Sequence, residues 1–188
     1  MSIRPPPLKT AAALVIGNEI LSGKVAEANV VELARTLRLL GVRLCRVVTV
    51  EDEPTVIATE VTTLRTSHDV LFTSGGVGPT HDDVTVEAIA RSFGVPVVTD
   101  GPTLALIERI YAERVTEGHR RMARIPEGAC QVTLPDMPWP TTVMGNVWVL
   151  PGVPEVFRSK LAVVRSCITG ACTFFSKAAY LSTEEPEL

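Results

Sequence analysis

The sequence predicts an α/β fold built on a mostly parallel sheet with helices on both faces. Three observations carry this expectation. Short apolar runs at 11–16 and 69–73 alternate with segments whose apolar residues recur at helical spacing. The order strand, helix, strand, helix, strand, helix holds through Phe93, with connections long enough for crossovers between parallel strands. The loops that follow the runs ending at Ile16, Ser74 and Leu150 all contain glycine, and in an open parallel sheet ligands sit at such strand ends.

Each element has its own signal. The run 11–16 is continuously apolar, as a central strand should be, and ends in the loop Gly17-Asn18-Glu19-Ile20-Leu21-Ser22-Gly23. From Asn29, the positions Val30, Leu33, Ala34, Leu37 and Leu40 follow helical spacing, and Gly41 supplies the stop. Asn29 itself reads as the N-cap of that helix. A second strand is expected over 42–50. Pro54, preceded by Glu51-Asp52-Glu53, opens a helix carrying Ile57, Val61 and Leu64. The run 69–73 reads as a strand covered on both faces. A loop and then a helix follow, with Val86, Ile89, Ala90 and Phe93 on one face and Gly94 and Pro96 ending it.

The second half is less regular. Asp100-Gly101-Pro102 opens a helix marked by Leu104, Ile107, Tyr111 and Val115, and 119–125 reads as a short basic helix closed by Pro126. Residues 131–134 read as a strand, and 142–144 with 147–150 as a hairpin turning at Gly145-Asn146. Between them, 135–140 is proline-rich and reads as an exposed or ligand-facing arm carrying Met137 and Trp139. A helix over 155–164, a strand at 178–181 and an acidic tail complete the expectation. One domain is expected over 1–165, with 166–188 as a C-terminal extension that starts a small appended subdomain.

Composition excludes several functions. The chain has 188 residues, 46% of them hydrophobic, enough for one real core. Yet no apolar run approaches the ~20 residues that span a bilayer, and the first nine residues lack a signal-peptide apolar stretch. A cytoplasmic protein without a membrane partner is expected. A net charge of −3 with scattered basic residues offers no basic face to nucleic acid. Cys45, Cys130, Cys167 and Cys172 form no CxxC pair and sit in apolar sequence, so packed, reduced thiols are expected.

The stretch Ser74-Gly75-Gly76-Val77-Gly78-Pro79-Thr80-His81-Asp82-Asp83-Val84-Thr85 carries the most chemistry. Its glycines let backbone N–H groups approach a phosphate, and the helix behind it adds roughly 0.3–1 kcal/mol for an anion at its N-terminus. Asp82 and Asp83 come directly after this cradle. Carboxylates there repel an anion unless a divalent cation bridges them or they handle a proton. Asp83 also reads as the N-cap of the following helix. A dehydrogenase of the Rossmann type is disfavoured, because no GxGxxG follows the first strand.

Four segments in order carry a family resemblance: Gly17-Asn18-Glu19-Ile20-Leu21, Gly75 to Asp83, Arg121-Met122-Ala123-Arg124-Ile125-Pro126-Glu127-Gly128-Ala129, and Leu150-Pro151-Gly152-Val153-Pro154-Glu155. They resemble the successive motifs of the molybdopterin-binding (MoaB/Mog) domain. The Pro-Thr-x-Asp-Asp form resembles the CinA competence/damage-inducible branch and the corresponding domain of eukaryotic FAD synthases. The resemblance covers residues 11–164. It departs at two places: His119-Arg120-Arg121-Met122-Ala123 stands where CinA-type proteins carry Asn-x-Lys-x-Ala, and the family's Asn-x-x-Gly-x-Ala-Pro-Gly loop is replaced by 136–142.

What the resemblance implies is a three-layer α/β/α sandwich and a nucleotide-pyrophosphate or pterin site on the glycine loop. The CinA branch is associated with metal-dependent hydrolysis of ADP-ribose- or FAD-like pyrophosphates, and the Mog branch with molybdopterin adenylylation and molybdenum insertion. On that reading Asp82, Asp83 and Glu19 are catalytic, and Asp82 and Asp83 hold a divalent metal (Mg, Mn or Co). Glu19 reads equally well as a carboxylate that orders its loop. Gly75, Gly76, Gly78, Pro79, Thr80, His81, Arg121 and Gly152 bind the cofactor or substrate, with Arg121 facing the phosphates. His81 reads equally well as a solvent-facing loop residue. Molybdopterin is the alternative ligand; Trp139 reads as a residue that stacks on a flavin or adenine ring or, alternatively, as a packing or interface residue. A homo-oligomer, dimer or trimer, is implied, and the 135–142 arm is the segment expected to meet the partner.

Overall fold

The computed structural model describes residues 7–174, and the strand expected at 178–181 lies outside them. At the centre is β1 (Thr10–Ile16), buried from Ala11 onwards. Because successive strand residues point to opposite faces, its side chains serve two cores. Ala11 and Ala13 face Leu33, Leu37, Phe157 and Leu161, while Ala12, Leu14 and Ile16 face Ile57, Val61, Leu64 and Ile89. The alanines keep the helices close on either side. This sorting makes the fold a three-layer α/β/α sandwich.

Around β1 the six-stranded sheet includes β2 (Arg43–Val50), β3 (Val70–Ser74), β6 (Cys130–Leu134), β7 (Met137–Met144) and β8 (Val147–Leu150), in the order β2-β1-β3-β8-β7-β6. The first four are parallel, with a register shift between β1 and β2 at Ala11/Ala12, and β7 runs antiparallel to both neighbours. All five residues of β3 are buried, as its apolar run requires, whereas β2 at the edge is largely exposed. Asp69 aligns β1 with β3: its Oδ2 accepts the N–H groups of Lys9 (2.8 Å) and Thr10 (2.9 Å). Those backbone donors, Thr10 first, hold its carboxyl below the ordinary aspartate range.

The helices form where their sequence signals lie. Helix α2 (Asn29–Leu40) ends on Gly41 at φ 78°, and α4 (Thr85–Phe93) on Gly94 at φ 68°. Helix α3 (Pro54–Ser67) starts at its proline, with Glu53 accepting the Val56 N–H. Helix α5 (Gly101–Tyr111) is capped by Asp100 and stops before Val115. Helix α7 (Pro154–Cys167) packs beside α2. No helix among the described residues is long and apolar enough to cross a membrane.

Several expectations are corrected. The segment 119–125 is not one helix: α6 (Glu117–Arg121) ends early, and β5 (Arg124–Pro126) pairs with β4 (Val97–Thr99) as a two-stranded ribbon. The loop after β1 contains a one-turn helix, α1 (Asn18–Leu21). The proline-rich arm is strand β7, paired with β6 on its own sheet. Its prolines are accommodated because β8 pairs only with Thr142 to Met144 and the β6–β7 register shifts at Val132/Leu134, so few ladder N–H groups are required there. The four cysteines are exposed free thiols rather than packed ones.

Candidate functional site

The ends of β1, β3 and β8 are brought together by backbone contacts that tolerate no side chain. The Gly75 N–H donates to the Leu150 carbonyl (3.2 Å), and a Cβ on Gly75 would stand 2.2 Å from the Ile16 carbonyl oxygen. Gly75 also has φ 110°, which glycine alone adopts readily. A Cβ on Gly152 would stand 3.2 Å from the Gly75 Cα. The three strand-end loops therefore converge at the carboxyl edge of the sheet, as expected.

Asn29 fastens the same junction, and its expected role as a cap is corrected. The N-cap of α2 is Ala28, and the Glu27 carboxylate accepts the N–H groups of Asn29 (2.8 Å) and Val30 (3.0 Å). The Asn29 side chain is buried and donates instead to Ser74 Oγ (3.0 Å) and to the Gly152 carbonyl (2.8 Å).

The glycine loop folds back over the start of α4. The Thr85 hydroxyl donates to the Gly75 carbonyl (2.9 Å) and the Thr85 N–H to the Gly76 carbonyl (3.0 Å). Among the described residues, the N–H groups of Gly76, Val77 and Gly78 meet no protein acceptor. Asp83 does not cap α4, whose N-cap is Val84. The turn closes on itself instead: Asp83 Oδ2 accepts the Thr80 N–H (2.8 Å) and the Thr80 hydroxyl. Asp82 and His81 lie at the exposed apex, with His81 Nε2 2.8 Å from Asp82 Oδ1. Such a solvent-exposed pair contributes little to stability.

Arg121 reaches the loop from the other side. Its Nη2 donates to the Pro79 carbonyl (3.2 Å), and α6 packs so closely that a Cβ on Gly118 would stand 2.5 Å from that same oxygen. A capping box between Thr116 and His119, and stacking of His119 on Tyr111 at 3.9 Å, hold α6 in place. Glu19 lies exposed on α1 and folds over Gly17, where a Cβ would meet its Oε1 at 2.5 Å.

The loop separates two depressions of opposite character. On one side Gly76, Gly78, Thr80 and Asp83 meet Arg121, Arg124, Trp139 and Lys160. On the other, Gly76, Thr80, Asp82 and Asp83 meet Asn18, Glu19, Lys24 and Asp52. Of the residues singled out from sequence, Gly75, Pro79, His81 and Gly152 line neither wall, and Gly75 and Gly152 act as the buttress behind the loop. Several lining residues were not singled out, among them Asp52 and Lys160. Asp52 accepts the Asn18 N–H (2.8 Å), tying α1 to the end of β2, and its only sequence signal is its place in the acidic cluster after that strand. Lys160 has no sequence signal beyond being a lysine on an apolar helix face.

No group of three or more His, Cys, Asp or Glu side chains among the described residues gathers as a metal cage. The acidic depression instead suits a magnesium-like ion, which keeps waters and is held by one or two carboxylates together with substrate phosphates. Asp82 and Asp83 can supply those carboxylates.

Residues 12–166 match the sequence profile described as "Probable molybdopterin binding domain". The chain belongs to this molybdopterin-binding domain family. Its branch is that of CinA. A CinA-like protein of Myxococcus xanthus is 36% identical over 155 residues, covering 79% of this chain and 37% of that protein. A protein of Archaeoglobus fulgidus is 34% identical over 139 residues, covering 74% and 60%. The chain thus spans between about a third and three fifths of the length of these curated relatives. The crystal structure of CinA from Thermoplasma acidophilum, a protein of unknown function, superposes with a TM-score of 0.77 at 30% identity, covering 85% of this chain and 97% of that one. The molybdopterin biosynthesis enzyme MoaB of Thermus thermophilus shares the fold at 20% identity, with a TM-score of 0.53 and coverage of 84% and 89%. The MoaB/Mog-type fold and the CinA branch expected from sequence are both met.

Proposed function

We propose that this molybdopterin-binding domain hydrolyses the pyrophosphate of an ADP-ribose- or FAD-like dinucleotide with the help of a divalent ion. The observation that carries this reading is the glycine loop standing between a cationic and an acidic depression. Pyrophosphate cleavage needs charge neutralisation on one side and a positioned water on the other. The N–H groups of Gly76, Val77 and Gly78 and the Arg121 guanidinium would bind phosphate oxygens. Asp82 and Asp83 would hold the ion, Asp83 through Oδ1 because Oδ2 serves Thr80. Such an ion, when bound, lowers the pKa of a water and offsets charge on the phosphates. Water attack on phosphorus breaks one P–O–P bond and yields two phosphate monoesters, with Glu19 near enough to the acidic depression to take a proton.

The test is turnover of ADP-ribose and FAD by the purified protein with magnesium, manganese or cobalt and with chelator, alongside direct binding of molybdopterin. Metal-dependent release of nucleoside monophosphate is expected. Molybdopterin binding with no turnover of either dinucleotide would overturn the hydrolase reading in favour of a binding module. Two observations favour that second reading: the replaced 136–142 loop and the absence of a ready-made metal cage among the described residues.

A dimer or trimer is the assembly we propose from the family resemblance alone, because Met137–Met144 is a strand of its own sheet and no longer argues for a partner. Sedimentation at micromolar concentration should give two or three times the chain mass, and a monomer there would refute it.

A further inference from the structure

Lys160 is the buried charge that the fold does not explain. It sits on α7 between Phe157, Leu161 and Val164, on the face that packs into the core, where an apolar residue would serve. Its exposure is 4%. The Nζ donates to the Trp139 carbonyl and to the Pro140 carbonyl (3.0 Å), both neutral acceptors, and among the described residues no carboxylate pairs with it. An ammonium has three donors, so one is left over. Tying α7 to β7 needs a donor but not a charge. Burying an uncompensated charge is costly, and sites that do so are often built for a ligand of the opposite sign.

Lys160 also lines the cationic depression that opens towards Gly76, Gly78 and Arg121. We propose that Lys160 binds a phosphate group of the ligand, completing on the β7 side an anion site whose other side is the glycine loop and Arg121. This assignment rests on the phosphate-binding reading of the loop and adds to it where the second phosphate, or the far end of a pyrophosphate, lies. The other charged groups lining the depression are Arg124 and Glu87, which pair with each other at 2.8 Å, and Asp83, which is turned towards Thr80. Burial lowers the Lys160 pKa to about 8. An anion beside it restores the charged form, so binding is linked to a proton.

The sign follows. Below about pH 8 the free ammonium is already charged and affinity is flat; above it, binding must first protonate the amine, and affinity falls by up to about tenfold per pH unit. The probe is ADP-ribose with chelator, whose pyrophosphate diester does not itself titrate in this range. Calorimetry of the intact protein in buffers of different ionisation enthalpy should show uptake of about half a proton per ligand near pH 8. Lys160→Gln, which keeps a donor for the two carbonyls, should weaken binding at least about tenfold at neutral pH and abolish the proton uptake. Arg121→Ala should weaken binding but keep the uptake. If Lys160→Gln binds like the parent, or the parent takes up no proton, Lys160 is structural while the site stands. If ADP-ribose fails to bind the parent at all, the phosphate site itself falls and the assignment of Lys160 falls with it.

Discussion

Gly75→Ala is expected to be the most destabilising single methyl that can be added to this chain's strand-end junction, costing about 3–5 kcal/mol. Two penalties add. The new Cβ would stand 2.2 Å from the Ile16 carbonyl oxygen, which is backbone and cannot rotate aside, and φ 110° disfavours any L side chain. At this chain length that corresponds to a fall in melting temperature of roughly 10 °C. Gly23→Ala is the control, since Gly23 also has positive φ, 71°, but open space around its would-be Cβ. It should lose only about 1 kcal/mol. Circular-dichroism melts of the two variants decide the matter: equal losses would mean that the β1 and β3 ends are not in contact as described.

The second large effect is on turnover. Asp83→Asn should reduce metal-dependent hydrolysis about a hundredfold or more, because a neutral amide cannot hold a divalent ion or balance its charge. The same variant keeps an acceptor for the Thr80 N–H and hydroxyl, so its melting temperature should stay within a few degrees of the parent. Asp83→Ala loses both functions. It should be equally inactive and additionally about 1 kcal/mol less stable, since the Thr80 turn lies in water that can replace the lost partner. Parent-like turnover in Asp83→Asn would show that the carboxylate only orders the loop.

The parts of the fold that were legible in the sequence are those governed by neighbours along the chain. Leu33 and Leu37 with Gly41 after them define α2, and Asp100 with Pro102 defines the start of α5, because helical spacing and end-capping act within a turn or two. The continuous apolar runs of β1 and β3 state that both their faces are covered. The glycine loop was legible for the same local reason. Where local signals conflicted with the outcome, a neighbour in space had overridden them: Pro138 and Pro140 argue against a strand, yet β7 forms because a register shift and a short partner leave their missing N–H groups unneeded. Arg124 to Pro126 similarly leaves its basic helical pattern to pair with β4.

Local chemistry thus sufficed for the alternating elements, the strand-end glycines and the family to which they point. The partners of polar side chains were settled in space. Asn29 and Asp83 each stand at a helix start and have the chemistry of an N-cap, but Asn29 finds Ser74 and Gly152, 45 and 123 residues away, while Asp83 turns back to Thr80. A hydrogen bond goes to whichever acceptor arrives within about 3 Å, and for Asn29 the convergence of β1, β3 and β8 delivers two at once. The same convergence sets acidic and cationic walls on opposite sides of one loop. Lys160, unremarkable on its helix, acquires its place in the cationic wall only because β7 brings the Trp139 and Pro140 carbonyls to its Nζ.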